Sequence, residues 1–514
     1  MANIVYKQES IGGGISSTYF GDTKRGQYRI GLGIDPDLSL TDKAKMSNII
    51  YPTAYQKFSS TEITGTPISI INPRTGTARV YVIQNNGVVV YYDSALANPV
   101  TVGTVTGGVA NGAFEQNNYI YIPTGTDVSR VGPLDGVVAI TNNWWTSTIS
   151  LTALTNTTYP SIRNVAIPNH WGCQAGDGAI YFLDFKDKQG LIHRLNTDSA
   201  GANSGSAYNV LDLPFGYYPT CIAPYGTGVV IGAIQTTDAT LKQGQATLFF
   251  WDTISESFYA QVPLPDVFVT ALYNSNGRLF VFTGSTSGCR VSFYAGGDTV
   301  TQAMYFDDGV SPLAGAVDGF GDRVVMGAVT STPGIAAVVL SFGSKQNEVP
   351  AVFHCPIKTT AGSSNTPTTT AVKYAQQSSG ETPRCVVGWR TSTAQGLDKY
   401  GLVYNGNIPR FRSDIFEVGK RFKVKRLSFN TSQATAAGLR ELTVKIIVDN
   451  ETTTFTFNGR DATEAFVFKR PEVEVKGNKN FCVDFEWLGS GGELAIQLPI
   501  EIEVEVYDDQ PISL

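Results

Sequence analysis

The sequence predicts an all-β protein: an extended N-terminal arm (residues 1–58), a β-propeller of seven blades (59–415) and an antiparallel β-sandwich, jelly-roll-like or Ig-like (416–514). Three observations predict it. Charged residues make up only 16 % of the 514, while 53 glycines and 24 tyrosines fill much of the gap, a composition of strands and turns. A turn followed by an apolar β-branched or aromatic run recurs seven times between residues 60 and 415. Beyond residue 408 the pattern changes to strict alternation of apolar and polar side chains, the period of half-buried strands.

The arm opens with GGGISSTYFGDTKRGQYRIGLGIDPD, residues 12–37, which holds seven glycines. It is not a nucleotide loop. Gly31 and Gly33 lack the third glycine and the following helix of a dinucleotide turn, and Lys24 is followed by Arg25 where a P-loop needs Ser or Thr. Glycine allows close backbone approach, so the stretch reads as an extended segment lying against a neighbouring surface. Tyr19, Phe20, Tyr28, Ile30, Leu32 and Ile34 are its expected anchors, with Asp35-Pro36-Asp37 turning the chain toward the propeller. On this reading, deletion of residues 1–50 leaves the propeller folded and abolishes assembly.

The seven anchors of the propeller are GTARVYV (76–82), NNYIYI (117–122), DGAIYFL (177–183), GTGVVIGA (226–233), NGRLFVF (276–282), GDRVVMGA (321–328) and PRCVVGW (383–389). Their spacing suits a four-stranded blade with variable loops. A further strand follows most of them, as in GVVVYYDS (87–94), GLIHRL (190–195), ATLFFWDT (246–253), RVSFYAG (290–296), AAVVLSF (336–342) and YGLVYNG (400–406). Weaker fourth strands appear at SFYAQVPLP (257–265) and TQAMYF (301–306). Each such sheet has an apolar face that only its neighbours can cover, which favours closure into a ring.

In the sandwich, Leu442, Val444, Ile446 and Val448 share one face with Lys445 on the other, and Ile500, Ile502, Val504 and Val506 alternate with glutamates. GKRFKVKR (419–426) is basic and EIEVEVYDD (501–509) acidic. Two readings of that segregation stand: solvated strand faces, or complementary pairing between subunits.

A net charge of −6 gives no global field to hold nucleic acid or an anionic membrane. The opening MANIVYKQES lacks the basic and apolar regions of a signal peptide, so synthesis in the host cytoplasm is expected. No stretch reaches the length of a membrane helix. The six cysteines are scattered and read as small buried hydrophobes.

Little chemistry is legible. The three histidines, His170, His193 and His354, read as lying in three different blades, and neither a metal site nor a cofactor is expected. No G-x-S-x-G elbow occurs. Asp184, Asp187, Asp307, Asp308 and Asp318 are the carboxylates a propeller glycosidase would draw on, but acidic residues are common in β-turns. Trp144, Trp145 and Trp171 lie near expected loops and are the candidate stacking platform for a glycan or a partner. The chain reads as a non-enzyme.

The order of arm, propeller and sandwich resembles the tail structural proteins of tailed bacteriophages. The resemblance is carried by IGGGISSTYFG through QYRIGLGIDPD, and by FRSDIFEVGKRFKVKRLSFN followed by VKIIVDN. It implies a virion tail component of nozzle, tail-tip or fibre type, assembled with copies of itself, a hexameric ring being the expected form, and with other tail proteins. A receptor-binding protein reading host-surface glycan with a propeller face is the alternative, and a propeller hydrolase or lyase the third.

Overall fold

The structure is a computed structural model and describes residues 2–9, 14–15, 27–32, 34–35, 49–52, 54–57, 62–73, 79–93, 98–124, 127–145, 170–186, 189–235, 244–275, 277–284, 288–294, 296–306, 312–320, 323–327, 335–342, 352–358, 367–376, 384–401, 410–431, 441–449, 451–458, 467–469, 475–488 and 496–507. The chain divides into two compact units, one of Lys57–Ala337 with Thr359–Tyr400, the other of Met1–Gln56, Val338–Lys358 and Gly401–Leu514.

Seven four-stranded antiparallel sheets follow one another along the chain, one for each anchor of the sequence. Every anchor is the second strand of its sheet: Val80–Gln84, Tyr119–Pro123, Ile180–Lys186, Gly228–Gln235, Arg278–Gly284, Arg323–Met326 and Arg384–Arg390. The physical reason is burial on both faces. Val80–Gln84 is buried at every position, and so is Ile180–Lys186 up to its last residue. Side chains that meet a neighbouring sheet on either side need no polar alternation, so these strands read as continuous apolar runs. The turns ahead of them demand positive φ, which Asn117 (49°), Asn118 (68°) and Gly178 (82°) supply, matching the twist of a tight hairpin.

The first strands form the inner wall. Gly172–Gln174 packs beside Tyr217–Tyr225, that strand beside Phe268–Ser275, then Val317–Phe320, then Thr368–Ala375, which reaches Pro67–Ile71 of the first sheet. Buried clusters join the first sheet to the second and the second to the third, which closes the ring. Its core is a set of clusters between adjacent sheets. One joins Val82 and Val90 to Ala371 and Val386, and the next joins Ile83 and Val89 to Ile120 and Val131. The last sheet takes Thr368–Ala375, Arg384–Arg390 and Gln395–Gly401 from late in the chain and Ala54–Lys57 from before the first blade. Its third strand thus begins earlier than the expected YGLVYNG, most of which lies outside the described residues.

The rest of the described strands form two seven-stranded sheets. In one, Phe422–Thr431 and Ile496–Val506 pair at the centre; in the other, Glu441–Val448 and Asn480–Leu488 do. The sheets face each other through Phe422 against Phe481 (5.5 Å) and Phe429 against Phe485 (5.2 Å). Alternation holds as read: Ile500, Ile502, Val504 and Val506 are buried, as are Leu442, Val444, Ile446 and Val448.

The N-terminal residues run extended, but their described strands pair within the chain, which corrects the picture of an arm left over for a neighbour. Ala2–Gln8 pairs with Ile496–Val506 from Ala2↔Val506 to Gln8↔Ile500, and Gln27–Leu32 pairs with Arg410–Ser413. Gly14–Ile15 lies parallel to Gln27–Leu32, and Ile49–Pro52 pairs with both Ile34–Asp35 and Ile496–Val506. The cause is main-chain valence: Ile496–Val506 has Phe422–Thr431 on one side only, and the N-terminal strands satisfy the other. The sandwich accordingly includes these N-terminal strands, and after the propeller it resumes at Arg410–Ser413, which pairs with Asn480–Leu488, ahead of residue 416.

The segregated charge is also resolved inside the chain. The basic and acidic stretches are antiparallel neighbours, Lys423↔Glu505 and Arg426↔Glu503. Lys425 Nζ lies 2.6 Å from Glu505, and Lys7 on the far side lies 2.7 Å from Glu501. The charges meet across one half-exposed sheet face, and pairing between subunits is not needed to explain them.

Candidate functional site

Blade three holds a buried group of three ionisable side chains, His170, Asp184 and His193. His193 sits on Gln189–Leu195, Asp184 on Ile180–Lys186, and His170 just ahead of Gly172–Gln174. The register pairs Phe182 with His193 and Asp184 with Leu191, so Asp184 and His193 are diagonal neighbours on one face. His193 Nε2 is 2.9 Å from Asp184 Oδ2, and the Asn209 N–H donates to His193 Nδ1 at 2.9 Å. A backbone N–H can only donate, so His193 carries its proton on Nε2 and donates it to the carboxylate. Asp184 Oδ1 accepts from the Phe185 N–H at 2.7 Å. His170 Nδ1 donates to the Leu183 carbonyl at 3.1 Å and lies 3.8 Å from Asp184 Oδ1.

All three side chains are buried. Burial is the largest influence on His170 and holds its pKa below the ordinary 6.5, because a charged imidazole there loses its hydration. Both nitrogens of His193 are spent on fixed partners. The group therefore locks the hairpin of blade three and holds no side chain poised toward solvent. Among the described residues no three His, Cys, Asp or Glu side chains are grouped to hold a metal ion. His170 and His193 share one blade, which corrects the reading that placed the histidines in three; of the third, His354, only its place on Val352–Lys358 is described.

The remaining candidate carboxylates separate. Asp318 lies 3.3 Å from Lys373 Nζ and accepts from the Tyr374 N–H at 2.7 Å, tying blade six to blade seven. Asp187, Asp307 and Asp308 lie outside the described residues. Cys173 and Cys221 are free thiols, and burial pushes Cys221 up to about 12, which removes it as a nucleophile at neutral pH.

The three tryptophans do not form a shared platform. Trp145 is only 8 % exposed and stacks on Tyr208 at 4.1 Å. Trp144 packs on Tyr121 at 4.9 Å, and Arg130 lies between its ring (5.7 Å) and Tyr119 (4.7 Å). That guanidinium covers the π-face a sugar would need. Trp171 packs against the clusters between blades three and four and between four and five. Its ring edge also crowds Gly315, ahead of the sixth sheet, where a Cβ would fall 2.3 Å from it. One half-buried indole thus touches residues of blades three to six. Of the expected arm anchors, Tyr28, Ile30 and Leu32 lie on Gln27–Leu32 and Ile34 on Ile34–Asp35; Tyr19 and Phe20 lie outside the described residues.

What sequence reasoning missed is the exposed apolar set at turns: Phe215 (71 % exposed), Val137 and Ile254 (each 89 %). Phe215 and Gly216 (φ 89°) form the corner of a turn closed by the Tyr217 N–H on the Pro214 carbonyl, which leaves the ring no direction but outward. The signal is P-F-G-Y, a type II turn with an apolar corner.

Seven antiparallel sheets closed into a ring define a seven-bladed β-propeller, here accompanied by a two-sheet β-sandwich. The sequence matches no protein-family model and no curated protein. Solved structures similar to it include the computationally designed Ika8 protein (12 % identity, 68 % of this chain and 99 % of that one, TM-score 0.40). The WD40 domain of Neurospora crassa Pan2 is similar at 9 % identity over 68 % of this chain and 95 % of that one, TM-score 0.40. A 6-phosphogluconolactonase-like protein from Bacteroides fragilis is similar at 14 % identity over 63 % and 97 %, TM-score 0.42. The propeller assignment rests on the strand pairings of this chain.

Proposed function

We propose that the chain is a non-enzymatic structural subunit of a tailed-bacteriophage virion, built into the tail through contacts with copies of itself and with other tail proteins, a six-copy ring of nozzle or tip type being the expected form. The observation that supports this reading best is how the side chains capable of chemistry or stacking are employed. Asp184 and His193 are consumed by a hairpin lock, Trp145 and Trp171 by the ring interior, and Trp144 by Arg130. Interior groups used in this way build a scaffold. The order of extended N-terminal segment, propeller and sandwich supports the tail resemblance in particular.

The test is mass spectrometry of purified virions, with immunogold labelling of the tail. A chain found at several copies per particle and localised to the tail is expected; absence from the particles overturns the reading. A glycan array on the purified chain addresses the receptor-binding alternative, and there strong binding to one class of polysaccharide would move the proposal to host attachment.

A further inference from the structure

Among the described residues, Ala2–Gln8 is an edge strand. It pairs residue for residue with Ile496–Val506 and, among the described residues, with no strand on its other side. Its register has no bulge, and its sequence ANIVYKQ has no proline, so it lacks two of the common devices that blunt an edge. Tyr6 points into the sandwich, 5.4 Å from Phe481 of the opposite sheet. Ile4 shares that inward face and sits opposite the fully buried Val504, yet it is 41 % exposed. The apolar face of the sandwich thus continues one strand further than the described strands cover it. On the outer face Val5 is 49 % exposed, flanked by Asn3 and Lys7, which reach Glu503 and Glu501.

We propose that this edge is a homotypic docking strand, joining two copies of the chain by antiparallel pairing about a two-fold axis at Val5. What it needs is a row of main-chain donors and acceptors with an apolar inward side chain near its centre, which is another extended strand. The sequence suits itself. Pairing centred on Val5 sets Ala2 opposite Gln8, Asn3 opposite Lys7 and Ile4 opposite Tyr6 of the second copy. Ile4 then gains an aromatic neighbour on the inward face, and the only charged side chain of the strand meets a neutral amide. The two Lys7 ammonium groups stay four residues apart, roughly 14 Å, beyond a Debye length of about 8 Å, and each is already paired to its own Glu501. The result is an isologous contact that makes one continuous sheet of two.

The inference stands apart from the virion reading. That reading fails by absence from particles, this one by the state of the purified chain. Sedimentation velocity on the full chain is expected to show a concentration-dependent dimer. Because position 5 faces itself, Val5→Lys and Val5→Glu should each lose the dimer while an equal mixture of the two regains it. A wild-type chain that stays monomeric, a Val5→Lys chain that still pairs, or a mixture that fails to pair while both parents keep the wild-type circular dichroism overturns the proposal. Without any variant, main-chain amides within Ala2–Gln8 should gain hydrogen-exchange protection as the wild type is concentrated; no gain overturns it.

Discussion

His170 carries a pH dependence whose sign follows from its burial. Its pKa in the folded chain lies below the 6.5 of an exposed histidine, so the unfolded chain binds the proton more readily. Stability is then fully present above pH 6.5 and lost as the pH falls below it, with a slope of up to about 1.4 kcal/mol per unit from this one group. Melting temperature measured from pH 7.5 to 5 should fall. His170→Gln, which keeps a donor for the Leu183 carbonyl but does not titrate, should flatten the curve by that share. Trp145 makes a second, simpler case. Its ring is buried against Tyr208 and Phe182, so Trp145→Ala should cost about 3–5 kcal/mol in chemical denaturation. A stable variant with a specific loss of glycan binding would restore the platform reading. At this scale the sequence was hard to read. Asp184 stands in an apolar run, AIYFLDF, and nothing in the run shows that its partner lies across a hairpin at His193. Once Lys186 is set opposite Gln189, the pairing follows from register alone.

Among elements, the strands of the sandwich were legible one by one and their neighbours were not. Alternation identifies which face of Ile496–Val506 is buried, but nothing in Ala2–Gln8 or Gln27–Leu32 points to their partners, which lie hundreds of residues away. The charges were visible as two blocks, and only the ladder shows that the blocks are adjacent strands. Two expectations separate exposed from buried ion pairs here. Lys425 and Glu505 are partly exposed, so a double-mutant cycle should give a coupling of about 0.5–1 kcal/mol that shrinks in salt. Asp484 is fully buried, 2.9 Å from Arg410 Nε and 2.7 Å from Arg412 Nη2. Asp484→Ala takes the shared buried carboxylate from Arg412 and leaves Arg410 only Glu486, 3.5 Å away, and urea denaturation should show a loss of about 3 kcal/mol.

The whole ring depends on a strand that the sequence conceals. Seven blades were countable because each second strand is apolar on both faces, but AYQK at residues 54–57 carries no strand signal of its own, and it completes the last sheet beside Gln395–Gly401. The ends of the ring are held by pairing between distant segments, so the closing strand removes an exposed edge as well as adding contacts. This changes what N-terminal truncation tests. Deletion of residues 1–50 removes the strands that complete Ile496–Val506 and Arg410–Ser413 but keeps Ala54–Lys57; deletion of residues 1–57 removes that strand too. Hydrogen exchange followed by mass spectrometry distinguishes them. Both truncations should lose protection in Ile496–Val506, and only the longer one should lose it in Gln395–Gly401, where amides that now meet Ala54–Lys57 face water. Equal protection of Gln395–Gly401 in both chains would mean that the inner strands alone, Thr368–Ala375 against Pro67–Ile71, suffice to hold the ring shut.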